Sequence, residues 1–334
     1  MRANPSQAPA GLTTVVQAPE PNRRDEYSMQ WNLGVQHQFN TSTKLDLSYV
    51  GSGSRRLDIG GTYNTALTPG PGDPAPRRPF PYITPTFYDR SWGRSSYQAL
   101  QFQLDKRISS GFSYVVSYTW SKAISLACDG WFGVEGCAVQ DPYHFNNERS
   151  IAGFDLTHVL TANWIYELPI GKGKLLQTGS RAADYILGNW QINGIMSLRS
   201  GLPYSVVVSG DIANTGNTGN FMRPNLVGDP NISNPTRARW FNTSAFAAPA
   251  AFTYGNVGRN TMRSDWLKNL DFSLFRQFPF GEAKMVELRV ESFNIFNTPV
   301  YSSPVSNRSD PNFGAVLSTQ NKARQVQLGL KISF

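Results

Sequence analysis

The chain has 334 residues and a formal net charge of +8, with 40% hydrophobic, 13% aromatic and only 16% charged residues, 29 Gly and 22 Pro. Its basic residues are scattered, with no Lys/Arg run longer than two, which excludes a basic tail or stripe for nucleic acid and leaves a surface facing anionic lipid head groups, or a surplus without function. No apolar run approaches the roughly 18–20 residues of a spanning helix, and a negative mean hydropathy excludes nothing further, because half of every barrel strand is polar.

Residues 1–26 are rich in Pro, Ala and Gln without a period and read as loop or disorder. Residues 1–21 lack the basic-then-apolar pattern of a signal peptide, so any targeting sequence is expected elsewhere. Alternation then begins: Tyr27, Met29, Trp31, Leu33, Val35, His37 and Phe39 share one face, and Ser28, Gln30, Asn32, Gly34, Gln36 and Gln38 the other. Residues 40–42 make a tight turn, and Leu45, Leu47 and Tyr49 open the return strand. A Pro/Gly-loaded connection is expected over 52–94.

The unit repeats. Gln98, Leu100, Phe102 and Leu104, a turn at 109–111, then Phe112, Tyr114, Val116, Tyr118 and Trp120 form a second hairpin, followed by a loop over 123–154. His158 through Leu168 pairs with Trp190 through Leu198 as a third, and a long loop follows over 201–265, in which 204–208 is expected to prolong the preceding strand. Trp266, Leu270, Phe272 and Leu274 mark a seventh strand, Val286, Leu288 and Val290 an eighth, and a loop over 297–322 leads to the last. There Val326, Leu328, Leu330, Ile332 and Phe334 share one face, and Gln325, Gln327, Gly329, Lys331 and Ser333 the other. Such a strand closes a membrane barrel or lies half-buried at the end of a soluble sandwich.

Nine strands whose connections alternate short and long favour the barrel, since outer-membrane barrels have short periplasmic turns and long extracellular loops. Aromatics near strand ends, such as Tyr27, Trp120, Trp190, Trp266 and Phe278, would form the two girdles. The fold expected for 27–334 is therefore all-β, a transmembrane antiparallel β-barrel in the outer membrane, contacting its lipid and lipopolysaccharide. Single-chain bacterial barrels have even strand numbers, so nine implies a partial barrel missing amino-terminal strands, or a strand overlooked in a long loop.

Cys128 and Cys137 fall in a loop, and in an oxidising compartment they are expected to form a disulfide. Glu287, Arg289 and Glu291 alternate with Val286, Leu288 and Val290, which places these charges on the lumen side; because Phe293 and Ile295 fall in their phase, a bulge near Ser292 or emergence from the membrane is expected there. Trp92, Trp131, Trp240 and Tyr254 are candidate ligand-stacking rings, with mutual loop packing as the alternative. His37, His144 and His158 offer little for catalysis: only His144 has a nearby acid, Asp141, and no nucleophile motif accompanies them. The cysteines lack paired histidines for zinc. No enzyme activity, metal or cofactor is expected.

Several runs carry a family resemblance. Gly-Asn-Val-Gly-Arg-Asn-Thr-Met-Arg at 255–263, Asn-Leu-Asp-Phe-Ser-Leu-Phe at 269–275, Arg-Val-Glu-Ser-Phe-Asn-Ile-Phe-Asn at 289–297 and the segment from Phe313 through 323–334 resemble the end of Oar-like TonB-dependent outer-membrane receptors. Gly-Asn-Trp-Gln-Ile-Asn-Gly at 188–194 and Ser-Gly-Leu-Pro-Tyr at 200–204 are similar to the same family. The resemblance implies a large barrel, about twenty-two strands, holding an amino-terminal plug, matured by the barrel assembly machinery and energised through TonB. It implies a receptor that binds a ligand with its loops and moves it inward; a structural or adhesive barrel without active transport is the alternative. No segment here corresponds to a plug, so this chain is expected to be the carboxy-terminal part of such a receptor.

Overall fold

The computed structural model describes residues 18–126, 139–171, 173–177, 179–217, 222–280 and 284–334. Among them, nine long strands follow one another in a single antiparallel path: β1 (Tyr27–Gln38), β2 (Thr43–Tyr63), β3 (Thr86–Ser109), β4 (Phe112–Leu126), β5 (His158–Glu167), β6 (Trp190–Arg199), β7 (Leu267–Phe280), β8 (Lys284–Phe293) and β9 (Gln325–Ser333). Every strand pairs with its sequence neighbour, and β1 and β9 are the two edges, so the sheet is not closed.

Local chemistry fixes the tight turns. Asn40 Oδ1 accepts from the backbone N–H groups of Ser42 and Thr43, each at 2.9 Å, which turns β1 into β2. Ser110 and Gly111 both lie at positive φ, 52° and 74°, the pair of left-handed residues that a two-residue hairpin loop needs.

The register aligns the alternation of all nine strands. Leu47, Phe102, Tyr118, Leu160 and Leu198 form one row across β2–β6, and Ile192, Leu274, Val290 and Leu328 form another across β6–β9. One face is thus apolar across all nine strands, interrupted at positions such as Gln98, Lys106 and Arg276. The other carries Ser48, Gln101, Thr119 and their neighbours. Among the described residues most of the apolar face is left uncovered: Leu33, Leu328 and Leu330 are 72%, 77% and 67% exposed. A sandwich would bury it beneath a second sheet, so the soluble alternative fails. Two indoles fill gaps in this face, Trp31 over Gly51 and Trp164 over Gly194, so closely that a Cβ on Gly194 would lie 2.0 Å from the Trp164 ring.

Several expectations need correction. The 52–94 connection is much shorter, because β2 and β3 stay paired to Tyr63 and Thr86 through register shifts at Arg55, Leu57 and Ile59; those shifts and the Ser, Gly and Arg residues among them leave no unbroken period. Likewise β4 continues to Leu126. Residues 204–208 do not prolong β6: a Cβ on Gly201 would meet the Ser264 carbonyl at 1.9 Å, and the chain turns away so that Pro203–Tyr204 pairs with Met262–Arg263. The β7–β8–β9 ladders run without a bulge through Ser292, so the bulge expected there does not occur, and β8 ends at Phe293. The connection 168–189 contains an unexpected helix, α1 (Arg181–Leu187), capped by Ser180.

Candidate functional site: the loop cap and the polar face

The buried hydrophobic cluster with the most members among the described residues lies in the long connections. Val206, Phe241, Ala245, Phe246, Val257 and Met262 are buried together, with Phe313 packed edge-on against Phe241 at 5.2 Å. Segments from two connections, β6–β7 and β8–β9, thereby share one interior. We refer to this unit as the cap.

Its position is set by hydrogen bonds to one phase of β4. Ser121 Oγ donates to Leu156 O at 2.8 Å, Ala123 N donates to Asp155 Oδ1 at 2.6 Å, and Arg259 Nη2 donates to Ser125 O and Oγ, each at 3.0 Å. Ser121, Ala123 and Ser125 continue the phase of Thr119, so the cap rests on the polar side of the sheet. At the far side Asp271, also on the polar face, accepts from Asn294 N at 2.8 Å.

A buried ionic lattice holds the cap together. Glu148 accepts from Arg223 Nη1 and Nη2 at 2.7 and 2.9 Å, and the two side chains are 1% and 4% exposed. Arg223 Nε donates to Val257 O at 2.8 Å, while Gln140 accepts from Arg223 N at 2.8 Å and donates to Gly255 O at 2.9 Å. Such a pair tolerates burial only with its remaining donors satisfied. Asp155 is likewise paired to Arg263, whose guanidinium also reaches Gly201 O at 3.0 Å. The run 255–263 is the frame of this lattice: a Cβ on Gly255 would meet Arg223 O at 1.9 Å, Val257 is core, Arg259 is buried, and Asn260 takes a positive φ of 54°. In 289–297, Asn294 and Asn297 are left-handed; Asn294 bonds Thr298 O and Lys322 O, and Asn297 Oδ1 accepts from Arg324 N.

The candidate rings fall in different places. Trp240 packs on the cap core and edge-on to Tyr301 at 5.6 Å, and lines a concavity of about 340 Å³ with Pro230, Asn231 and Arg263. Tyr254 packs against Val208 and Met222 and borders another, about 330 Å³, with Asp141, Asn147 and Glu148. Burial, and then the Asp141 carboxylate, push the Tyr254 phenol well above its ordinary value. Trp92 stands apart, half exposed, its Nε1 donating to Glu20 at 3.1 Å and Arg90 stacked on it at 4.3 Å. Trp131, Cys128 and Cys137 lie outside the described residues. Asp141 bonds His144 Nδ1 at 2.7 Å and Tyr143 N at 3.0 Å within one turn, and His158 bonds the Tyr118 hydroxyl at 2.8 Å between the rings of Tyr118 and Trp266.

Glu287, Arg289 and Glu291 project on the polar face. Arg289 donates to Glu287 and stacks on Phe275 at 5.0 Å; Glu287 also accepts from Gln277 at 3.2 Å, and Glu291 from Gln327 at 2.6 Å. Glu287 and Arg289, with Glu167, Lys174 and Gln191, border a polar concavity of about 460 Å³ near the short connections. On β9, Val326, Leu328, Leu330, Ile332 and Phe334 all face outward and exposed, Phe334 at 95%.

The chain matches the outer membrane beta barrel domain family over residues 1–327. It belongs to that family. The barrel domain is accordingly an outer-membrane protein, its uncovered apolar face is a lipid-facing surface, and its polar face is the one a barrel turns inward. No curated protein matches the chain in sequence. Among solved structures it is similar to the outer membrane transporter YddB from Escherichia coli, with 7% identity, a TM-score of 0.46, and coverage of 96% of this chain and 34% of that one. The barrel domain thus spans about a third of that structure's length.

Proposed function

We propose that the barrel domain is the carboxy-terminal part of a TonB-dependent outer-membrane receptor, whose cap faces outward and admits a ligand to a polar lumen. One observation carries the reading: the long connections are folded into a structured cap seated on the polar face, above strands whose inward residues are Ser, Thr, Asn, Gln and paired charges. In this reading the short connections are periplasmic, Glu287, Arg289 and Glu291 face a plug supplied by preceding sequence, and β1 and β9 pair with the remaining strands, since unpaired edges in lipid leave backbone groups unsatisfied at several kcal/mol each. In the same reading the exposed apolar row of β9 is what the assembly machinery recognises.

The placement of Trp240 and Tyr254 in cap packing favours a second reading, a structural or adhesive barrel. Growth on a panel of oligosaccharides, peptides and iron chelates separates the two. Deleting the gene and deleting tonB should impair growth on the same nutrient. A gene deletion that leaves every nutrient untouched but alters surface adhesion would replace the receptor reading with the second one.

A further inference from the structure

Arg276 breaks the apolar phase of β7. It is aligned with Trp190 on β6 and Leu288 on β8, in the row that continues to Leu330, where a charge in contact with lipid costs roughly 2–4 kcal/mol at the bilayer midplane and less towards the interface. Yet Arg276 is only 2% exposed. Helix α1 covers it. Arg276 Nη1 donates to Ile186 O in the last turn of α1, Trp190 Nε1 donates to the same carbonyl at 3.1 Å, and the Tyr185 ring lies 5.8 Å from Phe278. The guanidinium also stacks on Phe278 at 4.3 Å and on Trp190 at 5.3 Å. A cation at a helix carboxyl end meets the negative end of the helix dipole.

The helix therefore lies against the outside of the barrel wall, at the end of the short connections. Its own outer surface is apolar: Tyr185, Ile186 and Leu187 are 59%, 63% and 50% exposed. That surface is continuous with the lipid-facing belt through Trp190 and Phe278, and seven residues are too few to cross a bilayer. An apolar helix surface joined to a lipid belt, at the height of the aromatic girdle, has the makings of an interfacial anchor.

We infer that α1, latched to the wall by Arg276 and Trp190, lies in the inner leaflet of the outer membrane and inserts Tyr185, Ile186 and Leu187 among its phospholipids. The leaflet assignment rests on the receptor orientation above; the lipid contact rests on the apolar belt alone. A nitroxide attached at Ile186→Cys in the full-length protein, in isolated outer membranes and with Cys128 and Cys137 replaced by Ser, tests it. Leu330→Cys provides the lipid reference and Ser244→Cys, exposed in the cap, the water reference. The ratio of collisions with oxygen to collisions with a water-soluble nickel chelate should be several-fold higher at 186 than at 244, and close to that at 330. Arg276→Met, or Trp190→Phe should the first fail to fold, should sharpen the spectrum at 186 as the helix comes loose. A ratio at 186 matching 244 while 330 reads as lipid overturns the anchor; 330 itself matching 244 overturns the belt on which it stands. An unchanged spectrum in both latch variants overturns the latch.

Discussion

Removing the carboxylate of Glu148 should open the cap. In the folded cap this group answers both terminal nitrogens of Arg223, and both side chains are almost wholly buried. Glu148→Ala takes away the carboxylate that meets both terminal nitrogens of the Arg223 guanidinium, while its bond to Val257 O stays in place. Stranding one member of a buried pair costs about 3–5 kcal/mol, which raises the open population between about a hundredfold and a few thousandfold. Trypsin on intact cells reads this directly. Arg259 is 3% exposed, so cleavage after it requires opening, whereas Arg237 lies in an exposed stretch and reports protease activity in every sample. When opening is fast relative to cleavage, the rate follows the open population, so the ratio of the two cleavages should rise by at least two orders of magnitude. Replacing the whole pair, Glu148→Leu with Arg223→Met, should recover much of the loss, because an apolar pair strands no charge. If Glu148→Ala left the cleavage ratio unchanged, or if the double variant opened as far as the single one, the ion pair would not be what holds the cap closed.

Leu288→Arg, on the lipid-facing row, should cost roughly 2–4 kcal/mol near the midplane and abolish the heat-resistant folded band on gels, whereas Arg289→Leu should keep it; the opposite pattern would invert the two faces. Gly194→Ala should destabilise by about 1–3 kcal/mol, the usual cost of overpacking, and Trp164→Ala in the same chain should reverse part of this loss in thermal melts. Mass spectrometry of unreduced peptides from outer membranes should find Cys128 joined to Cys137; two free thiols would refute the bridge. Tyr254 has a raised folded-state value, so its contribution is complete below the ordinary phenol value near 10 and is lost as pH rises through the folded value. The trypsin ratio should therefore climb above about pH 10, and climb less in Tyr254→Phe.

The strand centres were legible because lipid on one side and polar surroundings on the other impose a period of two. All nine strands appear where runs such as Tyr27–Phe39, Phe112–Trp120 and Val326–Phe334 alternate, with β2 and β3 about ten residues longer than the alternation marks. That period breaks where the register shifts and Ser, Gly and Arg gather. The upper halves of β2 and β3, with Ser52, Ser54, Arg55 and Arg56, looked like loop while remaining paired. Helix α1 was hidden by its length, since one apolar turn beside Gly188 leaves no periodic signature. The cap lattice was out of reach for another reason: Glu148 and Arg223 are 75 residues apart, and a lone charge in a polar loop looks the same whether it is solvated or buried against a partner. The runs 255–263 and 289–297 were the available signal, and what they encode locally is cap framing and turn geometry.

The seat of Trp164 on Gly194 also bears on how strands find their partners. A two-residue slip of β5 along β6 preserves the inside–outside alternation, so hydrophobicity alone does not reject it. It would, however, bring the indole opposite Ile192 or Met196, the neighbours of Gly194 in the same phase. The ring already lies 2.0 Å from where a single Cβ would stand on Gly194, so neither side chain could share that space without displacing it. The indole and the glycine thus act as a key and its notch, checking the alignment of one hairpin when only two strands have met.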